Sequence, residues 1–185
     1  MIVAALWIFI LCSALITFGL YFIRLIDLIQ VRDAPYVPLD SNAIQALLNN
    51  LPDLRNKTVY ELGSGDGRVA LEVAHRLRPK RYLAIEKGRW PMLMAHLKRL
   101  RAGNPPGLEF VSNDIRNTNL SPANIVFVYL MDDFVSQLKD KFKKELKPGT
   151  ILISCQFPLK GKRPFKTIEV ENGPIIASQF YFYRY

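Results

Sequence analysis

Cysteine and histidine are scarce in this chain, two of each in 185 residues. Two cysteines cannot make a disulfide framework. Cys12 lies in an apolar run and Cys155 in an expected strand, which agrees with a reducing compartment. His75 and His96 both sit on expected helices, with no cluster of cysteines or carboxylates beside them. They read as surface or packing residues, and no metal site is expected. A compact arginine-rich tract and nucleic-acid motifs are also missing, so no nucleic-acid partner is expected despite a net charge of +9. The chain has no internal repeat and no low-complexity segment. Charge itself is missing from residues 2–23, "IVAALWIFILCSALITFGLYFI".

That uncharged run is the first positive feature. As a helix it spans roughly 33 Å, enough for the hydrocarbon core of a bilayer. A cleaved signal peptide would want a basic start and a shorter apolar stretch; neither is present. The expected organisation is a single transmembrane anchor over residues 1–24, a linker over 25–40 and a folded domain over 41–185. Arg24 and Arg32 follow the span, whereas only the α-amino group precedes it. The positive-inside bias therefore places the domain on the cytoplasmic side, a single-pass membrane protein. The cations Lys98, Arg99, Arg101, Lys139, Lys141, Lys143 and Lys144 suit an anionic membrane surface, or are solvated helix faces.

After the span, Pro35 and Pro38 hold the linker extended. Ile44, Leu47, Leu48 and Leu51 then fall on one face of a helix that starts at Ser41 and stops at Pro52. From there strands and helices alternate. Strands are expected at 57–62, 81–86, 108–114, 124–130 and 150–157. A helix follows the first strand through Leu77. A second covers 90–102, with Trp90, Leu93, Met94, Leu97 and Leu100 as its apolar stripe. A third carries Phe134, Leu138, Phe142 and Leu146. "KTIEV" and "SQFYFYRY" give a terminal strand pair joined near "ENGP". This is an α/β layer fold with a mostly parallel sheet.

The first strand runs into a glycine-rich loop, "ELGSGDGR", residues 61–68. In such sheets ligands bind at the carboxyl ends of strands, near the switch in strand order. The loop lacks the Gly-Lys-Ser/Thr of a phosphate loop. A dinucleotide fingerprint would need a third glycine where Arg68 stands. Instead, Glu61 and Asp66 place carboxylates in and beside the loop, where a pyrophosphate would be repelled. A cofactor with a sulfonium and an α-ammonium, and with no phosphate, suits them: S-adenosylmethionine. Glu86, 19 residues after Gly67, closes the second strand and suits two ribose hydroxyls. After the third strand, "SNDIRN" offers Asp114 to the exocyclic amine of adenine and Ile115 as a backbone donor and apolar contact. Taken singly, the glycines could form an ordinary turn, Glu86 a solvated strand end and Asp114 a turn acid. Their combination on successive strand ends is what is specific.

"ELGSGDGR" resembles the first motif of seven-strand, S-adenosylmethionine-dependent methyltransferases. With the apolar span, "APYVPLD" and the Asp-Ile-Arg segment, the whole chain resembles the small membrane-anchored protein-lysine methyltransferases. Their mitochondrial members methylate the adenine nucleotide translocase and the ATP synthase c-subunit. The resemblance implies a seven-strand Rossmann-like class I methyltransferase sheet with helices on both faces, after one transmembrane helix. It implies that residues 35–38 pack beside the cofactor. The expected cofactor-binding set is Tyr36, Glu61, Gly63, Ser64, Gly65, Asp66, Gly67, Glu86, Asn113, Asp114 and Ile115. "VYLMDDF" and "CQFPLKGKRPF" depart from the mitochondrial members, so substrate identity does not carry over.

A lysine acceptor must be neutral to attack, a penalty of roughly 4.6 kcal/mol at pH 7 that a desolvated channel offsets. The end of the fourth strand supplies the catalytic candidates Tyr129 and Asp132. Tyr129 is otherwise a core aromatic and Asp132 a helix N-cap. The expected partners are the lipid bilayer and a membrane-protein substrate. The alternatives are a lipid or quinone acceptor, a non-catalytic anchored module and, more remotely, a nicotinamide-dependent oxidoreductase.

Overall fold

The computed structural model describes residues 2–30, 37–170 and 179–185. Tyr36 and the "ENGP" joint fall outside them. The first helix, α1 (Ile2–Gln30), runs past Arg24; no proline or glycine interrupts residues 24–30. Its segment Ile2–Ile26 has a mean hydropathy of 2.5, and none of its most apolar window is buried against the rest of the chain.

The next helix, α2 (Ser41–Asn50), begins where expected. The Asp40 carboxylate accepts the Ala43 N–H at 2.7 Å, satisfying one of the amides a helix start leaves open. The alternation that follows is β1 (Thr58–Leu62), α3 (Arg68–Leu77), β2 (Arg81–Glu86), α4 (Arg89–Arg101) and β3 (Leu108–Ser112). Then come a 3-10 turn (Ile115–Asn117), β4 (Ile125–Val128), α5 (Asp132–Gln137), α6 (Lys139–Glu145), β5 (Ile151–Cys155), β6 (Lys166–Glu169) and β7 (Gln179–Arg184). The described strands form one sheet in the order β3-β2-β1-β4-β5-β7-β6. β3 to β5 pair in parallel, while β7 pairs antiparallel with both β5 and β6. The order reverses between β1 and β4, so the carboxyl end of β1 is the switch point.

Strand side chains alternate between the faces, and each face carries its own helices. Val59, Tyr82, Phe127 and Phe180 pack against α2 and α3. Tyr60, Leu62, Val126 and Tyr183 pack against Phe134, Leu138 and Phe142 of the other layer. Helices thus cover both faces of the sheet.

One element differs from expectation. The single helix expected after β4 divides at Leu138, whose N–H is shared by the Phe134 and Val135 carbonyls; its φ is −84° and its ψ −3°. The apolar stripe of α4 is only partly covered, with Trp90, Leu93 and Met94 half-buried. Met92 and Ala95 are its buried residues, whereas Leu97 and Leu100 are 40% and 66% exposed.

Candidate active site

The β1–α3 loop crosses the switch point. Gly63, Gly65 and Gly67 have φ of 79°, 55° and 73°, the left-handed region that side chains disfavour. The Gly63 and Ser64 N–H groups both donate to the Ile85 carbonyl at 2.9 Å, which ties the loop to β2. A Cβ at Gly63 would lie 2.8 Å from Leu130 Cδ2, so the loop is closely packed as well as bare.

Glu86 ends β2 and spans two loops. Its Oε2 accepts the Gly65 N–H at 2.9 Å and its Oε1 the Gly88 N–H at 2.7 Å. A carboxylate offers about four acceptor positions, so each oxygen retains capacity for a hydroxyl donor. Beside it, the Asn113 N–H donates to the Glu86 carbonyl at 3.2 Å. The Asn113 side chain caps the Asp114 N–H and bonds Thr118.

Glu61 is 3% exposed and accepts the Tyr82 hydroxyl at 3.0 Å. Burial pushes its carboxyl up to about 8; Asp66 and Glu86 add to the rise and Tyr82 opposes it. The unfolded value is 4.5, so folding holds an extra proton on Glu61 between 4.5 and about 8. The stability this contributes is complete below the unfolded pKa and is lost as pH rises through the folded one. Glu61→Gln keeps an acceptor for Tyr82 but cannot ionise. Its melting temperature should therefore fall less across that window than the wild type's. Parallel curves would show that Glu61 does not titrate there.

The other acids are already paired. Asp66, 6% exposed, meets Arg68 in a two-pronged ion pair and also meets Lys98. Arg68 in turn donates to the Leu39 carbonyl at 3.0 Å. Asp66 thus braces the loop against the segment before α2. Asp114 caps the 3-10 turn through the Arg116 N–H and pairs with Lys87 at 3.1 Å. Burial raises its carboxyl, but the Arg116 amide and Lys87 outweigh that and hold it below the usual carboxylate value. Ile115 is buried in the core beside β4. Asp132 is the first residue of α5 rather than its N-cap, which is Met131, and it pairs with Lys160 at 2.5 Å. Lys160 lies between β5 and β6, so this pair holds that loop beside the end of β4.

Among the described residues, two buried hydroxyls at this end of the sheet have no hydrogen-bond partner: Ser64 Oγ and Tyr129 OH. Native proteins leave few such groups unsatisfied. The Tyr129 hydroxyl is pushed up to about 12 by burial, with Cys155 and Asp40 near enough to add to the rise. Tyr129 packs against the core cluster that includes Leu39, Ala43 and Cys155.

Residues 61–166 match the ANTKMT methyltransferase domain. The chain belongs to that family. It is 29% identical over 143 residues to a protein-lysine N-methyltransferase of Saccharolobus islandicus, covering 77% of this chain and 89% of that protein. It is 30% identical over 134 residues to the adenine nucleotide translocase lysine N-methyltransferase of Mus musculus, covering 72% of this chain and 58% of the mouse protein. Its fold matches an RNA methyltransferase of Salinibacter ruber solved with S-adenosyl-L-homocysteine: TM-score 0.72, 25% identity, 80% of this chain and 93% of that one. The sheet is that of class I methyltransferases, and the family uses S-adenosylmethionine. This enzyme is a methyltransferase dependent on that cofactor.

The residues at the switch point fit the cofactor. The loop is bare where the nucleoside must approach closely, and among the described residues Ser64 Oγ lacks a partner and Glu61 and Glu86 present carboxyl groups with no paired cation. Sequence reasoning missed Tyr82, Arg68, Lys98, Lys87 and Lys160 as partners of the acids. Only Arg68 had a signal in the sequence, two residues from Asp66.

Proposed function

We propose that this methyltransferase is held in a membrane by α1 and methylates a lysine side chain of a membrane protein, with its catalytic domain on the cytoplasmic side. One observation carries the anchoring. The Ile2–Ile26 segment is long enough to cross a bilayer, and its most apolar window is 0% buried against the domain. A core helix would hide that surface. The mouse relative's name gives a membrane transporter as its substrate, which supports the same class of acceptor here.

In this reading Glu86 accepts the ribose hydroxyls, while Glu61 and Ser64 face the cationic end. Gly63, Gly65 and Gly67 let the backbone approach, and Asn113, Asp114 and Ile115 border the adenine. Asp66 shapes the loop through Arg68 and Lys98. When bound, S-adenosylmethionine supplies an electrophilic methyl group. Tyr129 then accepts an N–H of the neutral acceptor amine and orients its lone pair, and the desolvation that raises the tyrosine also favours neutral lysine. Asp132 positions the β5–β6 loop through Lys160.

Tyr129→Phe removes an unpartnered hydroxyl, so folding stability should hardly change. The turnover number should fall about 10-fold or more, while affinity for S-adenosylhomocysteine stays the same. Equal turnover would remove Tyr129 from the acceptor side. The acceptor class is tested by incubating the full chain and tritiated S-adenosylmethionine with native membranes. Label in methyl-lysine of a membrane protein is the expected result. Label in lipid, quinone or RNA would contradict it.

A further inference from the structure

The α4 helix carries an apolar stripe that passes from half-buried Trp90 and Leu93 to exposed Leu97 and Leu100. Trp90, Leu93, Leu97 and Leu100 recur at helical spacing and form one stripe. Met92 and Ala95, the buried residues of α4, lie about 140–160° round the helix from Leu97. Leu97 and Leu100 are 40% and 66% exposed, and Arg89 and Arg101, also exposed, stand at the two ends of the helix. Beside it, a groove of about 490 Å³ is lined in part by His75, Lys98 and Arg101. A soluble surface seldom combines leucines so exposed with a cationic border unless something apolar and anionic covers it.

The position of α1 says what covers it. α1 packs beside α4. Every described side chain of α1 before Gly19 is exposed, and the half-buried residues are Gly19, Ile23 and Ile26, on one helical face. The contact therefore lies at the carboxyl end of the apolar segment, where a spanning helix leaves the hydrocarbon. Leu97 and Leu100 stand exposed on the helix that this end of α1 touches.

We infer that the outer face of α4 is a second membrane contact, which seats Leu97 and Leu100 in the lipid–water interface with Arg89 and Arg101 on anionic headgroups. A single spanning helix leaves its domain free to swivel; the second contact fixes how the methyltransferase sheet is presented to a substrate in the same bilayer. Arginines near an anionic surface strengthen such seating, and salt screens it.

The inference rests on α1 being an anchor, and the test separates the two. The full chain is prepared with Cys12→Ser, which leaves only Cys155, whose buried thiol is raised by desolvation and resists labelling. Single cysteines at Ile8, Leu97 and Lys57 then take an environment-sensitive fluorophore; none of the three positions is buried. The proteins are reconstituted in phosphatidylcholine vesicles containing phosphatidylglycerol. Probes at Ile8 and Leu97 should both shift to the blue, lose iodide quenching severalfold relative to Lys57, and be quenched by doxyl-labelled lipid. Removing phosphatidylglycerol should weaken the Leu97 response and leave Ile8 unchanged. A Leu97 probe that stays in water while Ile8 is shielded overturns the inference and leaves the anchor standing. Shielding of Leu97 from iodide without doxyl quenching means that protein, such as a second copy, covers the face, and also overturns it. An Ile8 probe in water removes the anchor and the inference together.

Discussion

Glu86→Ala should weaken binding of S-adenosylhomocysteine by about 1–3 kcal/mol, roughly 5- to 150-fold, from lost charge-assisted hydrogen bonds to the ribose. The structure adds a second reason. Glu86 also accepts the Gly65 and Gly88 amides at 2.9 and 2.7 Å, so the same carboxylate fixes the β1–α3 and β2–α4 loops. Glu86→Gln separates the two roles. The amide can accept through one oxygen only, so it should hold one loop and recover part of the affinity. Calorimetric titration of both variants checks this. An alanine variant with unchanged affinity would take Glu86 out of the cofactor site.

Gly67→Ala should lower folding stability by about 2–4 kcal/mol. Its φ of 73° alone accounts for about 1–2 kcal/mol once a side chain is present. The new Cβ would also lie 2.5 Å from Phe110 Cζ and 3.1 Å from Ala95 Cβ, so the Phe110 ring must move aside and the Ala95 methyl must give slightly. Gly103 is a matched control, with the same φ of 73° and no atom within 4 Å of its added Cβ. The difference in urea midpoint between Gly67→Ala and Gly103→Ala isolates the packing component. Equal losses would mean that the close approach at Gly67 is not structurally demanding.

The parallel strands were legible because each is an apolar run bounded by polar or turn residues. The loop was legible because three glycines and a following helical pattern can hardly be read otherwise. The stripe of α4 was legible but its surroundings were not, because a period of 3.6 reveals that a helix has an apolar face and not what that face meets. Small Ala95 and Met92 make the real packing face, and Leu97 and Leu100 the outer one. The acids divide in the same way. Glu86 stands where the strand pattern put it. Asp66 looked like a free charge beside the loop, yet Lys98, 32 residues later, neutralises it together with Arg68. Asp132 read as a catalytic candidate or else a cap, yet its partner Lys160 comes from the far side of β5. Long-range ion pairs leave no periodic trace. The division at Leu138 leaves none either, since neither proline nor glycine marks it.

The brace from Asp66 through Arg68 to the Leu39 carbonyl links the glycine loop to the segment that follows the apolar helix. Asp40, next in sequence, caps α2 and lies near Tyr129. Leu39 and Asp40 therefore stand beside the glycine loop and the end of β4, where the proposed reading puts the acceptor.

In the proposed site, Glu61 and Glu86 beside an uncluttered backbone choose a cationic nucleoside without phosphates. Calorimetry of the full chain in detergent micelles, with S-adenosylmethionine in one titration and NADH in a second, tests that choice directly. Saturable binding of S-adenosylmethionine, with no saturable heat from NADH, is the predicted result. NADH binding in competition with S-adenosylmethionine, at comparable affinity, would contradict it.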